Sequence, residues 1–391
     1  MMRDGKSVLL VSYYFPPYAG VSTVRVTKHC KYVPRFGWKP KVFTVDERYY
    51  KNRVVSSALK LKQTPIIRIP YFDFPFNVLL IKLLFPFVVL AYVIKHRSEI
   101  DIVYFSGSPF HPFILSVVLN VFLKKPTVLD FRDSWSNNHG FDGNKVPSLF
   151  GKIKQWIAEK LERYSIKFAS SVIYSTPVLQ KEYEVLHPEF ISKYKTIPNG
   201  YDPDDFIGIK PIKASDKVTL VLAGQFNLYT PTAMNSLMGA LKELPRLHFI
   251  YIGNEVDVIR KAAKLHAVEY SVTAFGYMPY EKVLRYIAGA DYGLLSSGLK
   301  NGMGTKIFDY LALSKATLCF VPEGSVITQE FSDLDSVVIS NPPYTVPLLK
   351  EKLLELIEKE KVLDQQGALN SFSRVAAAEE LSFVFNKVIE S

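Results

Sequence analysis

Short apolar runs separated by helix-length stretches begin at Ser7 and begin again at Val218, and this repeated pattern constrains the chain more than any other feature. The first series predicts strands at Ser7–Val11, Lys41–Val45, Ile100–Phe105, Thr127–Leu129 and Ser171–Tyr174. Helices are predicted from Gly20 to about Tyr32, from Phe150 to Phe168 and from Thr176 onward. The second series predicts strands at Val218–Leu222, His248–Ile252, Tyr292–Leu295 and Ala316–Val321, with a helix over Thr305–Leu313. A strand that is apolar on both faces and followed by a helical crossover belongs to a parallel sheet covered on both sides. The expected fold class is therefore α/β, with two Rossmann-like lobes.

The two series are separated by the turn-rich Pro198-Asn199-Gly200-Tyr201-Asp202-Pro203 and the polar stretch 210–217. This places an N-terminal lobe at 1–209 and a C-terminal lobe at 210–370. The last helices, 344–361 and about 371–389, are candidates to pack back, with the segment 371–391 returning to the first lobe. At 391 residues the chain is long enough for two cores, and 48% hydrophobic content excludes wholesale disorder. Its two cysteines, Cys30 and Cys319, lie too far apart in sequence to suggest a disulfide scaffold and suit a reducing cytoplasm. The run Val8–Val11 ends in Tyr13-Tyr14-Phe15-Pro16-Pro17, and it reads as a first buried strand rather than a secretory signal. A formal charge of +11 favours an anionic partner, either a phosphorylated small molecule or an anionic membrane face. No basic run, zinc-finger spacing or RNA-binding aromatic motif accompanies that charge, so nucleic acid is not expected.

One segment departs from the alternation. Val78–Ile94 (VLLIKLLFPFVVLAYVI) is apolar on nearly every face, is interrupted by Lys82 and Pro86, and is followed by Lys95-His96-Arg97. It falls at the bottom of the spanning range of about 17–25 residues. Three readings follow: docking on an anionic membrane surface through 78–97, a buried or dimer-interface helix, and a true span. Lys82 in hydrocarbon is costly and the flanking charge is basic, so the docking reading comes first.

The chemistry concentrates in Gly298-Leu299-Lys300-Asn301-Gly302-Met303-Gly304-Thr305-Lys306-Ile307-Phe308-Asp309. Gly302 and Gly304 let backbone amides approach an anion, and they lead into a helix start that carries orphan N–H donors. Thr305 reads as a cap or phosphate ligand and Lys306 as a mobile cation for a diphosphate. Asp309, one turn further on, is placed to accept from a ribose diol. A glycine turn capping an ordinary amphipathic helix is the competing structural reading.

Across almost the whole chain the sequence resembles the family 4 glycosyltransferases of the GT-B fold. The resemblance rests on Tyr14-Phe15-Pro16-Pro17-Tyr18-Ala19-Gly20 with Arg25, on Pro126-Thr127-Val128-Leu129-Asp130-Phe131-Arg132-Asp133-Ser134-Trp135, and on Leu161-Glu162-Arg163. Ile197-Pro198-Asn199-Gly200-Tyr201-Asp202, Leu222-Ala223-Gly224 and Phe275-Gly276-Tyr277-Met278-Pro279 extend it. The wording around Asp133 is similar to enzymes of surface-polysaccharide and O-antigen assembly. The resemblance implies two parallel sheets facing across a cleft, with the acceptor on the first lobe and the nucleotide-sugar on the second. It also implies retention at the anomeric carbon without a metal, and no cofactor beyond the nucleotide-sugar co-substrate. It adds Gly224, Gln225, Tyr277 and Met278 to the donor site. The expected acceptor is a glycan, lipid-linked, at the cytoplasmic face of the cell membrane.

Two departures from the family pattern stand out. Of its paired glutamates, the second position is Asp309 and the first is Asn301, which brings no charge to the donor sugar. The basic pair that follows the first strand of the second lobe is absent from 224–231. Diphosphate stabilisation is therefore assigned to Lys306 and the amides at Gly304 and Thr305, with Arg25 contributing from the first lobe. Asp133 is the candidate to orient or deprotonate the acceptor hydroxyl, and an Arg132–Asp133 pair fixing a loop is the alternative. Gly20, His111 and Arg132 complete the acceptor-side candidates, with a structural His111 the competing reading. Asp202-Pro203-Asp204 has the form of a metal-binding pair, but it lies in a turn where Asp satisfies backbone donors, so no metal is expected. Competing functions are a nucleotide-sugar epimerase of the same fold and a degenerate nucleotide-sugar-binding protein.

Overall fold

The structure is a computed structural model that describes residues 5–18, 21–51, 61, 64–137, 149–359 and 369–390, without the side chains at 21–22 and 149–150. The chain divides into two compact units, Met1–Asn199 with Arg374–Ser391, and Gly200–Ser373. The break comes at 199/200, ahead of the 209/210 boundary read from the polar stretch.

In the first unit, β1 (Lys6–Val11), β2 (Trp38–Val45), β3 (Ile66–Ile69), β4 (Ile102–Ser106), β5 (Thr127–Phe131), β6 (Ser171–Tyr174) and β7 (Tyr194–Thr196) form one sheet. Their order is β3-β2-β1-β4-β5-β6-β7, and every ladder is parallel. Alternation along each strand sorts the core into two layers. Leu9, Val11, Phe43, Phe105 and Phe131 face one way, toward a layer that includes α2 (Asn77–Lys95), α3 (Leu115–Val121) and α4 (Leu149–Phe168). Val8, Leu10, Val42, Ile102 and Val128 face the other way, where α1 (Val21–Tyr32) and the C-terminal helix Arg374–Glu390 supply Val26, Cys30, Ala378, Leu381 and Phe385. Phe385 meets Trp38 edge-on at 5.1 Å, so the last helix belongs to the first unit's core.

The second unit repeats the plan. β8 (Val218–Ala223), β9 (Leu247–Ile252), β10 (Val272–Phe275), β11 (Tyr292–Ser296), β12 (Thr317–Phe320) and β13 (Val337–Ser340) lie in the order β10-β9-β8-β11-β12-β13, all parallel. α5 (Pro177–Leu186) precedes β7 in the first unit, and α6 (Pro231–Glu243), α7 (Val256–Leu265), α8 (Tyr280–Gly289), α9 (Lys306–Ala312), α10 (Val326–Phe331) and α11 (Val346–Glu358) lie in the second. In each sheet the order reverses between two central strands, β1 and β4 in the first and β8 and β11 in the second. Beyond the carboxyl ends of such a pair, open α/β sheets bind ligands.

The packing of helix α2 bears on the three readings of 78–94. Ile81, Phe85, Val89 and Val93 recur every fourth residue and are buried against the sheet. Leu79, Leu83 and Phe87 stay exposed on the outward side, Phe87 at 67%. A helix with one face in the core of a unit is not ringed by lipid, so the spanning reading fails. It remains, among the described residues, the one helix long and apolar enough to cross a membrane.

Candidate functional site

The loops that follow β8 and β11 converge at the second unit's switch point. The Thr230 and Ser296 hydroxyls are hydrogen-bonded at 2.8 Å. A Cβ at Gly298 would stand 3.1 Å from the Tyr229 carbonyl oxygen, so glycine is what allows the loops so close. Helix α9 is fixed beneath them: Tyr310 is buried, and its hydroxyl accepts from the Ala223 amide at 3.0 Å. Gly293 makes room for this, because a Cβ there would fall 2.8 Å from the Tyr310 ring.

Gly224, Gln225, Asn301, Gly302, Met303, Gly304, Thr305 and Lys306 are all partly or fully exposed around this point. The local geometry corrects one reading, the cap at Thr305. Gly302 and Gly304 do not adopt positive φ, whereas Gly224 does, at 131°. Thr305 has helical backbone angles and its side chain caps nothing, so helix bonding begins with the Ile307 amide donating to Gly304 O at 3.0 Å. The first amides of a helix have no partner within it, and those before Ile307 are of that kind.

Lys306 and Asp309 form a built cluster with a residue that motif reading did not single out. The Asp309 carboxylate is buried and accepts from the Tyr280 hydroxyl and from the Lys306 ammonium, both at 2.7 Å. The ammonium also lies over the Tyr280 ring, 4.5 Å from its centroid. Asp309 was expected to present an open carboxylate to a ribose, but here both its oxygens are engaged. Tyr280 opens α8, immediately after the Tyr277-Met278-Pro279 stretch; Tyr277 is exposed at 66% and Met278 is half-buried. Nothing local in the sequence links Tyr280 to Asp309, because the pairing depends on α8 and α9 packing side by side.

The first unit corrects several expectations. Arg25 is 1% exposed, and its guanidinium binds Asp130 two-fold, at 2.8 and 3.0 Å. It also donates to the carbonyls of Ile197 (2.8 Å) and Pro198 (3.2 Å). Every edge of the fork is committed to the interior, so Arg25 is not a cation offered to a leaving diphosphate. Burial opposes ionisation of Asp130, yet Arg25, aided by the Tyr104 hydroxyl, holds its carboxyl below the usual range.

His111 is likewise structural. Pro86 has no N–H and cannot donate to the carbonyl of Lys82, four residues earlier in α2. His111 Nε2 lies 2.7 Å from that carbonyl oxygen and donates in its place. Burial lowers the His111 pKa, which keeps the ring neutral. Arg132 and Asp133 do not form an ion pair: Asp133 is exposed, while Arg132 is half-buried with no partner at Nε. Desolvation lowers the Arg132 pKa. The segment that follows them is tied down by the fully buried Glu162, which accepts from the Ser136 amide (2.9 Å), the Ser136 hydroxyl (2.8 Å) and the Tyr183 hydroxyl (2.7 Å). Gly20 lies outside the described residues. Asp202 accepts from the Asp204 amide at 3.0 Å, the turn role expected of it. Among the described residues no three His, Cys, Asp or Glu side chains gather as a metal site.

No protein-family model and no curated protein matches the chain. Solved structures do. Anabaena HepE in complex with UDP superposes with a TM-score of 0.67 at 16% identity, over 98% of this chain and 100% of that one. WaaG, a glycosyltransferase involved in lipopolysaccharide biosynthesis, gives 0.62 at 15% identity, over 97% and 95%. A Listeria monocytogenes protein assigned as UDP-N-acetylglucosamine 2-epimerase gives 0.60 at 10%, over 96% and 95%. With seven- and six-stranded parallel sheets, each doubly wound, the chain has the GT-B fold of these structures.

Proposed function

We propose that the chain is a glycosyltransferase that moves a sugar from a nucleotide-sugar to an acceptor hydroxyl. The observation that carries this reading is the second unit's switch point, where the ends of β8 and β11 lead into loops that meet at Thr230 and Ser296, and where the partly exposed Lys306 opens the helix after β11. As the bond to the anomeric carbon breaks, negative charge grows on the departing diphosphate, and a fixed cation stabilises it. Asp309 and Tyr280 hold Lys306 ready for that role. A ribose diol that takes over the Asp309 contact frees the ammonium for the diphosphate. In the first unit Asp133, exposed beyond β5, is assigned to orient the acceptor hydroxyl. Retention and independence of metal rest on the family resemblance alone.

The acceptor we propose is a lipid-linked glycan of surface-polysaccharide assembly, met at the cytoplasmic face of the membrane. The outward face of α2 supports this: Leu79, Leu83 and Phe87 are exposed, with Lys82, Lys95 and Arg97 along or just beyond the helix. Apolar side chains flanked by basic ones suit an anionic bilayer.

A thermal-shift panel of UDP-, GDP-, dTDP- and CMP-sugars tests the donor, since a ligand that binds only the folded chain stabilises it. The reading predicts one selective stabiliser, followed by product with a lipid-linked acceptor. If none of the panel binds, the proposal is wrong. The Listeria likeness keeps an epimerase as the second reading. Conversion of the nucleotide-sugar with no acceptor present would favour it.

A further inference from the structure

The turn after β8 directs three successive backbone amides at one side-chain carboxyl group. The amides of Phe226 and Asn227 donate to Glu255 Oε2 at 2.5 and 3.0 Å, and the amide of Leu228 donates to Oε1 at 2.8 Å. Successive N–H groups converging on one point form the concavity that proteins use for phosphates. Here a side-chain carboxylate, just ahead of α7, occupies it.

Two close approaches bring Glu255 to this place. A Cβ at Gly253 would fall 2.4 Å from the Gly224 carbonyl oxygen, so only glycine lets the loops after β8 and β9 meet. The Tyr251 hydroxyl then donates to Gly224 O at 2.9 Å and accepts from the Glu255 amide at 3.1 Å. Residues 224–231 contain no Lys or Arg, so the carboxylate is held by backbone amides, with the Tyr251 hydroxyl 3.3 Å from Oε2, rather than by an ion pair from the turn itself.

We propose that Glu255 is a specificity-determining residue of the second unit. By filling the receptor after β8, it confines the phosphates of a bound nucleotide to the β11 side, where Lys306 stands. This rests on the nucleotide-sugar reading of the same switch point. A phosphate and a carboxylate cannot share three amides, because like charges a few ångströms apart repel. The absence of a basic pair from 224–231 then follows: cations there would serve an anion the turn does not accept.

Calorimetric titration of the full chain with inorganic pyrophosphate and, separately, with UDP tests this. Glu255→Ala empties the receptor and is expected to tighten pyrophosphate binding on the order of tenfold, the scale of one charge-assisted hydrogen bond. Glu255→Gln keeps an acceptor oxygen without the charge and is expected to fall between the two. Adding Lys306→Ala to Glu255→Ala should leave the gain in place, because the anion sits on the other side of the switch point. A folded Glu255→Ala protein that binds pyrophosphate no better than the parent overturns the inference. If that variant does not fold, an unchanged affinity in Glu255→Gln overturns it equally. Failure of the parent to bind UDP or any other nucleotide defeats the glycosyltransferase reading instead, and the pyrophosphate comparison between parent and variants still stands.

Discussion

Lys306 and Arg25 are both cations chosen by motif, and burial separates them. Lys306 keeps about a quarter of its side chain exposed (27%), whereas Arg25 is locked to Asp130 inside the first unit. Lys306→Ala is expected to lower turnover far more than nucleotide affinity; equal losses in both would remove it from the chemical step. Arg25→Met strands the Asp130 carboxylate in the core and should cost about 3–5 kcal/mol in chemical denaturation. His29 adds a pH dependence. It is fully buried with neither ring nitrogen hydrogen-bonded, and burial, then Arg25 and Arg374, push its pKa well below the ordinary value against the pull of Asp130. The unfolded chain therefore takes up a proton that the folded chain refuses. Stability from this source is complete above about pH 6.5 and declines as pH falls below it. His29→Leu should flatten the decline, and a pH–stability curve that keeps its slope in the variant would locate the effect elsewhere.

At the level of elements, α2 carries the membrane question. Its inner stripe is core and its outer stripe is not, so the two can be changed separately. Leu83→Asp with Phe87→Asp is expected to abolish flotation with anionic vesicles while the melting temperature holds. Flotation that survives the pair rules out this face as the membrane contact. The strands show where pattern reading works. All nine expected strands form, and the four it overlooked are β3, β7, β10 and β13, the edges of the two sheets. Central strands are buried on both faces and read as apolar runs, whereas β3 and β10 are mostly half-buried and β7 spans only Tyr194–Thr196. At these three edges less cover and a short span weaken the apolar signal, whereas β13 (Val337–Ser340) is mostly buried and its four residues are simply too short a run to stand out.

For the molecule as a whole, the proposal places donor binding in residues 200–373. UDP, or whichever nucleotide the panel selects, at a hundred times its Kd should stabilise the fold by about 2.7 kcal/mol. Amide exchange should slow first at 297–309, on the β11 side. Slowing confined to the first unit would move the donor site there and leave the switch-point geometry without its proposed ligand.

The apolar periodicity by itself determined two parallel α/β sheets, the restart near Val218 and the Gly-rich approach to Lys306, because strand burial and backbone approach leave marks on nearby residues. Tertiary structure decided which polar groups are free. Arg25 is paired with Asp130, His111 with the carbonyl that Pro86 leaves open, Asp309 with Tyr280, and the amides after β8 with Glu255. Each of those partners lies 25 or more residues away in sequence, where no local pattern registers it. A charged side chain is available for chemistry only if packing has not already supplied its counterpart.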